Sequence, residues 1–202
     1  MAIDQALLRN APETPVLRLY EWEGAWVSVG YFGDLEAARD ECGPEVSVVR
    51  RPTGGGVVDH RVDVTYTLVV PTRHELARMG RGEAYRLIHE GVVLALNAVG
   101  ISARQVTEDS TIDSVHCFEK AVAWDVSDAS GRKLAGAGQR RTRAGFLHQG
   151  SVLIGDDKDL KEQFRNALPG CLAHRTAPWA PMSVGNLQSS SQPAVDGDGH
   201  RR

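Results

Sequence analysis

A run of alternating apolar and polar residues near the middle of the chain sets the strongest limit on its fold. Successive side chains of a strand point to opposite faces, so a period of two predicts a β-strand. The run ends at Pro71, which cannot donate a ladder hydrogen bond. Its alternating members are Val62, Val64, Tyr66, Leu68 and Val70 on one face, and Asp63, Thr65, Thr67 and Val69 on the other.

Other stretches predict a mixture of helices and further strands. Apolar residues at helical spacing predict helices near residues 3–8, over 83–99 with Gly100 as a stop, and over 157–168. Asp34 is placed as the N-cap of a short helix over 35–42. Strands are predicted over 16–22 and 26–30, which resemble a hairpin, and over 46–49, 101–106, 121–126, 133–140 and 146–154.

Because strands outnumber helices and the helices are dispersed along the chain, the pattern predicts an α/β (α+β) fold. We expect a mixed, mainly antiparallel sheet flanked by helices. With 202 residues, one domain is the default, and we assign it residues 1–182. Residues 183–202 are polar and low in complexity, so they are predicted to form a disordered tail.

Charge and cysteine content exclude several classes of protein. The 23 Lys and Arg against 26 Asp and Glu give a net charge of -3, which argues against nucleic-acid binding. Residues 1–10 lack the basic start and long apolar core of a secretory signal, so none is expected, and no apolar run approaches the length of a membrane span. Three widely spaced cysteines without a CxxC pair argue against a disulfide framework and a zinc site. A reducing cytoplasm is the expected setting.

A glycine-rich loop follows the strand over 46–49, with the sequence Arg50-Arg51-Pro52-Thr53-Gly54-Gly55-Gly56. Three glycines let backbone N–H groups approach a ligand closely, and the two arginines can supply charge to a phosphate or a carboxylate. An ordinary hairpin connection explains the glycines about equally well. Neither GxxxxGK[ST] nor GxGxxG is present at this loop, so common nucleotide-binding loops lose support.

Two further segments carry reactive side chains. Lys133 begins a strand whose next residues are small, which leaves room for its ammonium to hold a carbonyl or phosphate oxygen. Cys117 lies sixteen positions upstream, and a thiolate is a strong nucleophile for thioesters. Alone, a basic run is more often a solvated surface, and a lone cysteine is more often an inert core residue.

Read together, RRPTGGGVVDH from residue 50 and GRKLAGAGQRRTRAGFLHQGSVL from residue 131 resemble the lipoate-protein ligase and octanoyltransferase superfamily. The stretches MAIDQALL and YEWEGAWVSVGYF extend the resemblance over most of residues 1–154. HCFEKAVAWDV, from residue 116, resembles the region where the cysteine-dependent, LipM-like octanoyltransferase branch carries its nucleophile.

This resemblance implies an acyl site with two catalytic residues, Cys117 and Lys133. Two routes remain open: octanoyl transfer through a cysteine thioester, and ATP-dependent ligation of lipoate through an adenylate. Gly56 stands where the transferase branch commonly has an arginine, and a third glycine is more typical of the ligases. The substrate-binding residues implied are Arg50, Arg51, Thr53, Gly54, Gly55, Gly56, His60, Gly136, Ala137, His148 and Gly150.

The two routes differ in cofactors but share an acceptor. The transferase route uses acyl carrier protein as donor and needs no cofactor, whereas the ligase route uses ATP and Mg²⁺. Both modify a lysine of a lipoyl-domain protein, such as the glycine-cleavage carrier protein or a 2-oxoacid dehydrogenase subunit. We expect the transferase, with a biotin ligase and a non-catalytic binding module as weaker alternatives. No metal site, nucleic-acid partner or membrane partner is expected.

Overall fold

The computed structural model describes residues 1–10, 12–107 and 122–175, together with the backbone of residues 183–184. Within these residues it contains five helices and ten strands. In chain order they are α1 (Ala2–Arg9), β1 (Val16–Tyr20), β2 (Trp26–Val29), α2 (Leu35–Cys42), β3 (Ser47–Arg50), β4 (Val57–Asp59), β5 (Asp63–Pro71), α3 (Glu75–Arg78), α4 (Arg81–Ala98), β6 (Arg104–Gln105), β7 (Val126–Ser127), β8 (Lys133–Arg141), β9 (Gly145–Leu153), α5 (Lys158–Arg175) and β10 (Ser183–Val184).

The strands form two sheets, which confirms the predicted α/β fold with a mainly antiparallel sheet. The larger sheet has the order β10-β1-β5-β9-β8-β7-β6, and only its β1–β10 pair is parallel. The smaller sheet has the order β3-β2-β4, with β2 and β3 parallel. Ser183 and Val184, the first residues of the expected tail, pair with Val16 and Leu17.

β5 is the predicted alternating strand, and both of its faces are buried. Its apolar face packs against α4 and α5 in the main hydrophobic core. The opposite face carries Asp63, Thr65 and Thr67, which are at most 3% exposed. Buried polar groups need hydrogen-bond partners, so this strand supports an internal polar network on the side away from the helices.

The prediction that residues 16–22 and 26–30 pair as a hairpin is wrong. β1 pairs along its whole length with β5, whereas β2 pairs with β3 and β4 in the other sheet. Trp22 lies in the connection between β1 and β2, where its Nε1 donates to Thr65 Oγ1 at 2.9 Å and its ring stacks on His60. The chain thus uses this connection to pass from one sheet to the other.

The last long helix, α5, continues past its predicted end at residue 168 and includes Pro169. Leu168 and Leu172 are fully buried against the core. A Cβ on Gly91 of α4 would lie 2.8 Å from Leu172 Cδ2, so the glycine allows the two helices to approach closely. This tertiary packing outweighs the tendency of proline to end a helix. In the described part of the chain no helix is long and apolar enough to cross a membrane.

Candidate active site

A cavity of about 510 Å³ lies between the two sheets, a size within the usual range for small-molecule sites. Its floor comes from β5, β8 and β9, and its opposite wall comes from the smaller sheet and α2. Gly136, Gly138 and Gly150 lie on this floor, and neighbouring groups occupy the positions that their Cβ atoms would take: the Lys133 side chain at Gly136, the Thr53–Gly54 loop at Gly138 and the Tyr66 ring at Gly150. The cavity is lined by Met1, Ser28, Val29, Gly33, Asp34, Ala37, Ala38, Glu41, Arg51, Gly55, Gly56, Val57, Val58, His60, Thr65, Val122, Asp125, Lys133, Gly136, Ala137, Gly138, Gln149, Gly150 and Ser151.

Arg51 holds the glycine-rich loop in place. Its guanidinium donates to Gly54 O through Nε and Nη2, at 3.2 and 2.9 Å, and to Gly56 O at 2.8 Å. Its Nη1 donates to Ser28 O at 3.1 Å and to Ser28 Oγ at 3.2 Å. The side chain is only 6% exposed. Arg51 therefore shapes the wall of the cavity through the loop backbone.

The backbone of the glycine-rich loop passes very close to the backbone just after β2, at Gly30. A Cβ on Gly30 would lie 1.9 Å from Gly55 O, closer than any real contact, so the two backbones meet without room for a side chain. Gly55 itself has a φ of +99°, which other residues rarely adopt. Thr53 Oγ1 donates to Gln149 Oε1 at 2.9 Å, which joins the loop to β9.

Lys133 lies at the cavity with its ammonium held by a carboxylate. Its Nζ is 2.8 Å from Asp125 Oδ2, and both side chains are at least 93% buried. Asp125 also accepts from Tyr85 at 2.5 Å and from the backbone N–H of Val122 at 2.8 Å. A Cβ on Gly136 would lie 2.6 Å from Lys133 Cε, so the absence of a side chain at Gly136, three positions after Lys133, leaves the space that the lysine side chain occupies.

Helix α4 supports this ion pair from behind the sheet. Tyr85 donates to Asp125 and accepts from the backbone N–H of Ala137, and burial raises its pKa well above the usual 10. One helical turn later, His89 Nδ1 donates to Trp124 O at 2.6 Å. Trp124 has a φ of +73°, a strained conformation for a bulky residue, and it directly precedes Asp125.

A second polar network lies at the wall formed by β2 and β5. His60 is 2.7 Å from Asp63 Oδ2 through Nδ1 and 2.7 Å from Ser28 Oγ through Nε2. Asp63 also accepts from Ser151 Oγ and Thr65 Oγ1. All five side chains are at most 5% exposed. His60 is thus fixed at the cavity by partners on both ring nitrogens.

Lys133, expected to be catalytic, lines the cavity. Of the residues expected to bind substrate, seven also line it: Arg51, Gly55, Gly56, His60, Gly136, Ala137 and Gly150. Arg50 is exposed on the outer side of the loop. Thr53 and Gly54 belong to the loop without lining the cavity. His148 is fully buried and bonded to Tyr66 and Gln139 on the helix side of the sheet. Cys117 falls within residues 108–121, outside the described residues.

Sequence reasoning missed the partners of Lys133. Asp125 stands eight positions before Lys133, in the predicted strand over 121–126, and a carboxylate next to a candidate catalytic lysine is a usable signal. Tyr85 gives no such signal, because it lies forty residues before Asp125 and belongs to the apolar face of a helix. Asp4 was missed in the same way: it is fully buried and accepts from Arg18, Thr67 and Gln149.

Acidification is expected to destabilise the protein through His89. Burial lowers the pKa of His89 from 6.5 to about 4. Between these two pH values His89 is therefore neutral in the folded chain and protonated in the unfolded chain. The free energy of unfolding should therefore fall as the pH is lowered from 6.5 to 4, by roughly 3 kcal/mol from this residue. Urea unfolding across this range measures the slope. In His89→Gln, which keeps a donor for Trp124 O, the slope should be shallower, and an equal slope would contradict the assignment.

Comparison with known proteins bears on this site. The profile of the lipoyl protein ligase A/B catalytic domain matches residues 1–198. Octanoyltransferase LipM of Carboxydothermus hydrogenoformans is 38% identical over 166 residues, which cover 79% of this chain and 61% of that protein. Octanoyltransferase LipM of Lysinibacillus sphaericus is 34% identical over 176 residues, which cover 79% of this chain and 62% of that protein. The chain thus spans about three fifths of the length of these relatives.

Solved structures share the fold at lower identity. A lipoate-protein ligase A bound with ATP superposes with a TM-score of 0.63 at 23% identity, over 86% of this chain and 78% of that one. A bi-partite lipoate protein ligase from Thermoplasma acidophilum, described with its E2 lipoyl domain, superposes with a TM-score of 0.62 at 22% identity. That match covers 86% of this chain and 76% of the other.

Proposed function

Because the chain belongs to the lipoyl protein ligase A/B catalytic-domain family, we propose that it is an octanoyltransferase that acts in protein lipoylation. The octanoyl group comes from acyl carrier protein, passes through a thioester on Cys117 and ends on a lysine of a lipoyl-domain protein. The names of the LipM relatives support this reaction. The reducing cytoplasm suits an enzyme with a free thiol as its nucleophile.

The observation that carries the proposal is the buried Lys133 ammonium at a cavity floored by glycines. Asp125 accepts a hydrogen bond from the ammonium at 2.8 Å, and an ammonium can donate three hydrogen bonds in all. A donor fixed in advance where negative charge develops stabilises the tetrahedral intermediate of acyl transfer. The cavity of about 510 Å³ has room for the acyl chain beside that donor.

The position of Cys117 in the sequence is compatible with this site. Val122 lines the cavity and follows Cys117 by five residues. Five residues span at most about 18 Å when fully extended, which sets an upper limit on the distance between the two residues. Asp125, the partner of Lys133, accepts a hydrogen bond from the backbone N–H of Val122 at 2.8 Å, so Val122 lies beside the ion pair.

The proposed reaction has two steps. First, the Cys117 thiolate attacks the carbonyl carbon of the donor thioester while Lys133 donates to the carbonyl oxygen, and the carrier thiolate leaves and takes up a proton. Second, the unprotonated amine of the acceptor lysine attacks the acyl-enzyme. The carbon–sulfur bond breaks, an amide forms, the amine nitrogen releases one proton to solvent, and the Cys117 thiolate is regenerated. Because an amide is more stable than a thioester, the transfer needs no ATP.

Mass spectrometry of the protein after incubation with octanoyl-acyl carrier protein tests this function. We expect one octanoyl adduct on Cys117, no adduct in Cys117→Ala, and transfer to a lipoyl domain without ATP. Cys42→Ala, which removes a partly buried thiol outside the cavity, is the matched control and should load normally. Acylation that requires ATP and free octanoate or lipoate, without an adduct on Cys117, would instead support a lipoate-protein ligase.

A further inference from the structure

Two aromatic residues stand exposed beside the cavity. Phe32 is 91% exposed and Tyr31 is 45% exposed, and their rings meet edge to face at 5.0 Å. The next residues, Gly33 and Asp34, line the cavity. A large apolar side chain so open to water, next to a binding cavity, indicates contact with another molecule.

The turn that carries this pair is rigid. Arg50 Nη1 donates to the carbonyl oxygens of Gly30, Tyr31 and Gly33 at 3.3, 2.8 and 2.6 Å. The backbone N–H of Tyr31 donates to Thr53 O at 2.9 Å, and a Cβ on Gly33 would lie 2.5 Å from Val29 Cγ2. Aromatic side chains presented on a fixed backbone lose little conformational entropy on binding, which is typical of residues that dominate interfaces.

Positive charge borders the aromatic pair. The Arg140 guanidinium lies 4.9 Å from the centre of the Tyr31 ring and donates to Pro52 O at 3.3 Å. The Arg50 guanidinium also lies at this turn, bound to its carbonyl oxygens. Within the described ranges neither arginine pairs with a carboxylate, in contrast to Arg61 and Arg86. The surface is therefore suited to an acidic partner.

We propose that the acceptor protein docks on this aromatic rim, formed by Tyr31, Phe32, Arg50 and Arg140, through acidic residues beside its target lysine. The length of a lysine side chain identifies the acceptor protein as the partner that binds here. A lysine side chain has a stem of four carbons, so the acceptor backbone must itself come to the edge of the cavity. A carrier protein that delivers its acyl group on a long flexible arm has no such need. The inference rests on the proposed function only in that the acyl group goes to a protein lysine.

Separate measurement of the half-reactions tests this surface. With octanoyl-loaded enzyme, we expect Phe32→Ser and Arg140→Gln each to raise the acceptor concentration needed for half-maximal transfer about tenfold. Loading from the donor and cleavage of the acyl-enzyme by hydroxylamine should stay unchanged. The effect of Arg140→Gln should shrink at high salt. Arg104→Gln, at the exposed far-edge strand β6, is the matched control and should change none of these rates.

Three results would overturn the rim as the acceptor site: unchanged acceptor dependence, a loss confined to donor loading, or an equal loss with hydroxylamine. If the wild-type protein forms no acyl-enzyme, the proposed function fails instead. In that case the affinity of the acceptor domain for unloaded wild-type and Phe32→Ser protein, measured by titration, tests whether the acceptor docks on the aromatic rim, because binding needs no acyl group. Equal affinities in that titration would contradict it.

Discussion

The Lys133→Gln protein is expected to transfer acyl groups about a thousandfold more slowly than the wild type. Loss of a single preorganised donor to a developing oxyanion typically costs 10² to 10³ in rate, and the ammonium also contributes charge. The glutamine amide can still donate to Asp125, which limits the loss of stability from an unpaired buried carboxylate. Single-turnover transfer to a lipoyl domain, measured below the melting temperature of both proteins, gives the ratio of rates.

A second variant, Gly136→Ala, displaces the Lys133 side chain without removing it. In Gly136→Ala the new methyl group would lie 2.6 Å from Lys133 Cε and 2.8 Å from Nζ, so the side chain must move. Because only the flexible end of a side chain is displaced, we expect a stable protein with a rate lowered about a hundredfold. Normal rates in either variant would show that Lys133 has no part in the chemistry.

The Gly30→Ala protein is expected to lose about 3 kcal/mol of its free energy of unfolding. Its methyl group would lie 1.9 Å from Gly55 O and 2.9 Å from Gly55 C, and a backbone obstacle cannot rotate away. The fall in Tm should be roughly 10 °C for a chain of this size. Calorimetry or thermal unfolding followed by circular dichroism measures it.

Gly54→Ala is the matched control for that substitution. It adds the same methyl group to the other side of this contact, in the glycine-rich loop, where nothing lies within 4 Å of the new atom. Its Tm should stay close to that of the wild type. If the two alanine variants unfold at the same temperature, the close approach of the two backbones does not contribute to stability.

Local signals in the sequence predicted the elements that they control directly. Asp34 caps α2 through hydrogen bonds from Glu36 N and Ala37 N, as its position before an apolar turn indicates. The period of two predicted β5, and the apolar spacing predicted α4 to within two residues at its start. Each of these elements has a pattern that is complete within its own residues.

Features that depend on distant residues were not predictable in the same way. The separation of β1 and β2 into different sheets depends on the pairing of β1 with β5, about fifty residues later in the chain. The continuation of α5 past Pro169 depends on Gly91 in another helix. The support of Lys133 by Tyr85 and Asp125 likewise arises only after α4 has packed on the sheet.

The hydrogen bonds from Arg51 to the carbonyl oxygens of Gly54 and Gly56 bear on how tightly the cavity can hold a ligand. A run of three glycines is usually the most mobile part of a binding site, and a ligand that orders such a run loses affinity to conformational entropy. Here that entropy is lost when the chain folds, since the guanidinium ties the loop before any substrate arrives. The affinity for the proposed acyl chain then depends on the apolar surface that the chain buries. Each added or removed methylene should therefore change that affinity by its full transfer free energy.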